Sequence, residues 1–229
     1  MNLWVGHLVA AVIHTAMFIV AAYYVYKDSS GLEVEISNPP GPSFWFRVKS
    51  LVPYFPLLST CNHALFLCGY RSPAIRWIEY SLSAGLMFVI LGMLSGIGDS
   101  RALLLMIGAN VALQFTGYAS EIGPGGYSSI TDSRSGEPVA ISVGFVVFLF
   151  MQSTIILSYI TVVTHKTGVP ALVHVIILFM TLAMLSFGIL AAVRMSNIAR
   201  AWGYIALSIV SKTFLANAIL FGSLRTEET

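Results

Sequence analysis

The stretch from Ala201 to Gly222 reads AWGYIALSIVSKTFLANAILFG, and Lys212 near its middle is its only charge. A membrane span needs about 20 mostly apolar residues, and this stretch supplies them. If it crosses a bilayer, Lys212 is the only lysine or arginine of the chain that must lie deep within it. An ammonium at the centre of a membrane costs roughly 3 kcal/mol on insertion scales, so a chain that keeps one there has a use for it. The most economical use is covalent, with the amine condensed onto a carbonyl ligand as a Schiff base.

The rest of the composition agrees with a membrane setting. Of the 229 residues, 57% are hydrophobic and only 10% charged, and the mean hydropathy is +0.83. A soluble domain carries about 25% charged residues, so the lipid bilayer is the first partner to expect. The net charge of +2 says little, because the charges sit in short connections and both tails. No basic run or basic face interleaved with aromatics occurs, which leaves no nucleic-acid partner. Cys61 and Cys68, a helical heptad apart, read as small apolar residues facing inward rather than as a disulfide. No nucleophile elbow, phosphate loop or pair of catalytic carboxylates is present, so nothing supports an enzyme.

Seven candidate spans follow along the chain, near Leu3–Tyr26, Val48–Gly69, Pro73–Gly98, Ala102–Ser120, Val139–Thr164, Val169–Val193 and Ile198–Ser223. The first has no basic region before it and no small-residue cleavage site, so it reads as a retained span. Four connections are very short and force antiparallel neighbours. With no internal repeat or second domain, residues 1–229 are expected to form a single all-α, seven-transmembrane-helix bundle. Ile122–Pro138 is rich in Gly, Ser and Pro and reads as an irregular loop. The long first loop, 28–47, differs: Leu32-Glu33-Val34-Glu35-Ile36 alternates apolar and acidic before the turn signal Asn38-Pro39-Pro40-Gly41-Pro42. That pattern predicts a short β segment, in a hairpin outside the membrane. A lone strand edge invites pairing with a second copy, which points toward a homodimer.

Let side A be the face holding the N-terminus. It carries Arg71, Arg76, Arg134, Arg194 and Arg200 against Glu121, Asp132 and Glu137; the other face carries Lys27, Arg47, Lys49, Arg101, Lys166 and Arg225. The short connections after the second and sixth spans are basic, a slight bias toward side A as cytoplasmic and the C-terminus as extracellular.

The first, third, fifth and seventh spans all enter from side A, so depths along them compare directly. At about 1.5 Å per residue, Glu79 lies roughly 10 Å into the third span and Lys212 roughly 20 Å into the seventh. A lysine side chain leans toward its helix N-terminus, here back toward Glu79. Glu79 is the one carboxylate clearly inside a span, since Asp99 and Glu121 fall at span ends. The two are a natural pair. A purely structural ion pair is the competing reading, but buried pairs are weak stabilising devices because desolvation offsets most of the attraction. Ser208 precedes Lys212 by one turn and Ser83 follows Glu79 by one turn, each on the same helical face. Ser59, His63 and His14 fall at similar depths and are candidates for a polar cavity. Their spacing lacks the close pairs of a metal site. Met87, Met184, Phe148, Phe179, Phe187, Tyr159 and Trp202 are candidates to line a long apolar ligand, with ordinary packing the competing reading of each.

Seven spans with one mid-helix lysine in the last resemble a retinal-binding rhodopsin, and the closer resemblance is to the heliorhodopsin family. Arg76-Trp77-Ile78-Glu79-Tyr80-Ser81 with Ser83 is similar to that family's third helix, and Ser208…Ser211-Lys212 to its seventh. Ser59…His63 and His14 match its serine and two histidines around the Schiff base; Asn110 and Glu121 match less specifically. The strand-bearing first loop is similar to the family's extracellular β-structured loop, which helps to form a homodimer. The likeness covers essentially the whole chain. The chain departs from it in a first connection and tails that look short, and its sixth span lacks the Trp…Pro pattern of ordinary microbial rhodopsins.

The resemblance implies all-trans retinal bound to Lys212 as a protonated Schiff base, with Glu79 as counterion and Ser59, Ser83 and Ser208 hydrogen-bonding the pair. It also implies a polar, proton-accepting region formed by His63, His14, Tyr80, Arg76 and Asn110, a pocket with Met87, Met184 and Phe187, and a cytoplasmic N-terminus. Light would isomerise the chromophore to 13-cis in a slow, non-pumping photocycle that signals to an unidentified partner. Light-activated proton or ion permeation is the alternative within the same family. A small transporter using the Lys/Glu pair at a midplane site is a third reading; it would be expected to carry repeated halves or broken helices, and neither is found.

Overall fold

The computed structural model describes residues 2–27, 32–39, 41–122, 138–165, 168–193 and 195–222. Among them seven helices run in the expected order: α1 (Leu3–Lys27), α2 (Tyr54–Leu67), α3 (Pro73–Leu94), α4 (Ser100–Ile122), α5 (Pro138–His165), α6 (Ala171–Ala192) and α7 (Asn197–Phe221). All but α2 are long and apolar enough to cross a membrane. Each packs on the next and α7 closes on α1, making a ring, and α3 also reaches α5 and α6. The result is an integral, multi-pass bundle of seven helices. Residues 123–137 of the irregular loop expected at Ile122–Pro138, with the charges Asp132, Arg134 and Glu137, and also Lys166, Arg194 and Arg225, lie outside the described residues.

The helix ends follow from local chemistry. Pro73 and Pro138 occupy the first position of α3 and α5, where a missing N–H costs nothing. Ser196 caps α7 by accepting from the Ala199 N–H, and Asp99 Oδ1 accepts from the N–H groups of Arg101 and Ala102 at the start of α4. α2 and α3 stop at Gly69 (φ 96°) and Gly96 (φ 86°). There the N–H of Tyr70 returns to the Leu65 carbonyl and that of Ile97 to the Gly92 carbonyl, the closing bonds of a glycine-terminated helix.

The unbroken second span expected over Val48–Gly69 is corrected. Val48–Leu51 is a short 3-10 helix, and α2 begins only at Tyr54 and has 14 residues. Prolines 53 and 56 lack the N–H that an α-helix interior needs, so the α-helix can start only at this point. Val48, Val52 and Phe55 are fully buried and hold the irregular segment in the bundle.

The first connection holds an antiparallel hairpin, β1 (Glu33–Ile36) and β2 (Phe44–Arg47), with Glu33 opposite Arg47 and Ile36 opposite Phe44. Ser37 fastens it to the α3–α4 turn: its N–H donates to the Gly98 carbonyl and its carbonyl accepts from the Ser100 N–H. Gly98 is required there, since a Cβ would stand 2.7 Å from the Glu35 carbonyl oxygen.

The inward orientation expected for Cys61 and Cys68 is also corrected, because both are exposed on the outside of the bundle. Ser59 and His63 hold the inward face of α2, and Cys61, two residues from each, is turned to the opposite side.

Candidate functional site

Three helices converge on one ion pair. α7 carries Lys212 and α3 carries Glu79, and the Nζ–Oε1 distance is 2.7 Å. The two residues are 3% and 5% exposed, so the pair is dry. α2 adds Ser59, whose hydroxyl donates to Glu79 Oε1 at 2.7 Å while Lys212 Nζ donates to it in turn. The offset in depth between Glu79 and Lys212 is closed by the lysine stem reaching back along α7. The Tyr80 ring lies 5.5 Å from Nζ and presents its π face to the cation.

On one side of the pair opens an apolar cavity of about 890 Å³, mouth included, bounded by α3, α4, α5, α6 and α7. Lys212 and Ser211 form one end of its lining, and Met87, Phe148, Met184 and Phe187 lie along its walls. Phe179, Tyr159 and Trp202 do not: Phe179 packs at a tilt against Phe214 with centroids 4.0 Å apart, Tyr159 bonds His174 on the outside, and Trp202 packs beneath Gly6 of α1. Two buried hydroxyls at the lysine, Ser83 Oγ in the cavity wall and Ser208 Oγ one turn before Lys212, have no hydrogen-bond partner among the described residues. A long apolar slot ending at an amine, with spare hydroxyls beside it, fits a polyene aldehyde carried on that amine.

On the other side lie the histidines. His63 stacks parallel to His14 with centroids 5.6 Å apart, and its Nδ1 is 2.8 Å from Nδ1 of His7. His7 escaped the sequence reading, although its position two turns before His14 puts both on one face of α1. Among the described residues no group of three or more His, Cys, Asp or Glu could hold a metal ion.

Arg76 and Asn110 also make contacts of their own between α3 and α4. Arg76 pairs with Glu121 on the last turn of α4, and Trp77 Nε1 donates to the same carboxylate oxygen at 2.6 Å. The three form a clamp between α3 and α4, closer to side A than Glu79. Asn110 joins α4 to α3 by donating to the Ser81 carbonyl at 2.8 Å, and it accepts from Gln114. Arg200, read as a side-A charge, is 2% exposed. It donates to the Leu190 and Val193 carbonyls and so satisfies the end of α6.

A ring of seven helices with a buried lysine–glutamate pair opening on an apolar slot defines a retinal-type rhodopsin. Solved structures agree on the fold. A cyanorhodopsin from the cyanobacterium Tolypothrix superposes with a TM-score of 0.70 at 10% identity, over 97% of this chain and 96% of that one. The light-driven proton pump LR (Mac) from Leptosphaeria maculans gives 0.73 at 11% identity, over 95% and 92%. At such identities the likeness concerns the fold alone. No curated protein matches the chain by sequence. The model of the heliorhodopsin family matches residues 1–224, and the chain belongs to that family.

Proposed function

We propose that the chain is a light-sensing retinal photoreceptor and not an enzyme, with the retinal carried on Lys212 and Glu79 as its counterion. The observation that carries this reading is the dry Lys212–Glu79 pair at the end of the apolar slot. Lys212 would hold all-trans retinal as an imine, and the bound group would supply visible absorption and a light-driven isomerisation to 13-cis. The chain's own residues do the rest. Glu79 keeps the nitrogen cationic in a dry site. Ser59 ties the carboxylate to α2, and the spare hydroxyls of Ser83 and Ser208 adjust the balance of charge between them. Met87, Met184 and Phe187 confine the ligand, and His63 and His14 receive the displaced proton. The whole of 1–229 acts as one domain, with the N-terminus cytoplasmic, the C-terminus extracellular and the hairpin at a homodimer contact.

Sensing is favoured over pumping or permeation by the half of the bundle away from side A. Phe88, Ile90, Leu91, Ile176, Leu215 and Ile219 pack there as a buried apolar cluster. Among the described residues Glu79 is the only buried carboxylate, so none stands in that half to take a proton from Lys212. Photocurrent from retinal-loaded protein in a voltage-clamped cell tests this. Silence under light is expected; a sustained current that reverses with voltage would establish the permeation reading instead.

A further inference from the structure

The wall of the cavity across from Lys212 carries a polar group that plain retinal leaves unused. In the ring of helices α7 stands between α1 and α6, so α4 and α5 face it from the far side of the slot. α4 gives that wall Gln114, Thr116 and Ser120 among apolar neighbours. Gln114 lies about 12 Å from the side-A end of α4, at a depth where lipid supplies no hydrogen-bond partner.

The backbone of α3 fixes which way the amides on this wall turn. The Ser81 carbonyl can only accept, so Asn110 meets it with Nδ2, at 2.8 Å. Asn110 Oδ1 is then the atom presented to Gln114, which donates to it from Nε2 at 3.1 Å. The nitrogen end of Gln114 is thereby held, and its Oε1 is left with no hydrogen-bond partner among the described residues. The neighbouring hydroxyls do not fill the gap. Thr116 gives its hydrogen to the Leu113 carbonyl and Ser120 gives its own to the Gly117 carbonyl, both at 2.7 Å. This wall therefore offers acceptors and calls for a donor on the ligand. Retinal has no donor at the end away from its aldehyde.

We propose that Gln114 is a specificity-determining residue whose Oε1 accepts a hydrogen bond from a hydroxyl on the ring of the retinoid, so that the site selects ring-hydroxylated retinal over retinal. This rests on the reading of Lys212 as the point of attachment and names its ligand more closely. With the aldehyde carbon at Lys212, the ring is the part of the ligand carried across toward α4 and α5. A hydroxyl there satisfies an oxygen that retinal would cover and leave bare. A wholly apolar wall discriminates weakly against an added hydroxyl, whereas a wall holding a bare acceptor favours it, because the ligand without the hydroxyl leaves that acceptor unpaired.

The test uses the full chain in lipid nanodiscs, kept in the dark. Limiting protein receives equal amounts of all-trans retinal and one competitor, which is 3-hydroxyretinal, 4-hydroxyretinal or 4-oxoretinal. After equilibration borohydride fixes the ligand on Lys212, and mass spectrometry of the peptide counts the two adducts. The parent is expected to take at least one hydroxylated form over retinal by about five- to ten-fold, the effect of one hydrogen bond. The ketone can only accept and is expected to gain no such preference. Gln114→Met keeps the length of the side chain without its oxygen and should bring the hydroxylated-to-plain ratio to one or below. Asn110→Ala frees the Gln114 amide to turn its nitrogen inward and should narrow the gap between hydroxyl and ketone. Equal uptake of retinal and both hydroxylated forms by the parent overturns the proposal, even where a variant does not fold. So does a preference for the ketone as large as for the hydroxyl, or a hydroxyl preference kept in Gln114→Met. Failure of all four aldehydes to label Lys212 overturns instead the reading of Lys212, and the selection falls with it.

Discussion

Replacing Glu79 by leucine strands the Lys212 ammonium in a dry site, and the cost follows from the geometry. Nζ and Oε1 are 2.7 Å apart, with the two side chains 4% and 5% exposed. At an effective dielectric of about 20, unit charges at that separation attract by about 6 kcal/mol. Desolvation offsets most of this while both partners are present. A single substitution keeps the survivor's burial cost and loses the attraction, so Glu79→Leu and Lys212→Met should each cost about 3–5 kcal/mol. For a chain of this size 1 kcal/mol moves Tm by about 2–4 °C. Each single variant of the retinal-free protein should then melt about 6–20 °C below the parent. The double variant sets two apolar side chains face to face and should recover most of that loss, so the two single losses should be far from additive in the double-mutant cycle. Thermal unfolding of all four proteins in the same nanodisc measures it. Additive losses, with the double variant melting lowest, would refute the claim that these two charges sustain each other.

Other consequences can be read directly. In the retinal-loaded protein, Glu79→Gln should shift the visible band to the red or bleach it; an unchanged spectrum would mean that another group is the counterion. Ser83→Ala and Ser208→Ala remove hydroxyls that bond nothing else among the described residues, so each should shift the band while leaving the melting temperature of the retinal-free chain within about 1–2 °C of the parent. A side chain at Gly117 would meet the Trp77 ring. Gly117→Leu should therefore push Trp77 off Glu121 and cost about 1–3 kcal/mol, seen as a lowered Tm with the Lys212 site still able to take up retinal.

The Lys212–Glu79 pair was legible in the sequence because charge inside apolar spans is so rare that two such residues on helices entering from one side leave few choices of partner. Ser59, which bonds both members of the pair, was legible through its place one turn from His63. What escaped depends on rotation and tilt. Cys61 and Cys68 share a face, but spacing alone cannot tell inside from outside; Ser59 and His63 settle it, since a helix with one polar face turns that face inward. The pairing of Arg76 with Glu121 was not legible, because it depends on the closeness of α3 and α4 that Gly117 permits. The break in the second span was written in Pro53 and Pro56, and apolar content overrode it. His7 lay too near the end of its span to attract notice, although its two-turn spacing from His14 was visible.

The most direct measurement is the fate of one amine. All-trans retinal is added to the purified chain, the visible band is recorded, borohydride is used to reduce any imine, and the modified peptide is located by mass spectrometry. The account predicts a band in the parent, none in Lys212→Ala, and a retinyl group on Lys212 alone. A band that survives Lys212→Ala, or a Lys212 amine that stays unmodified while the band is present, would contradict it.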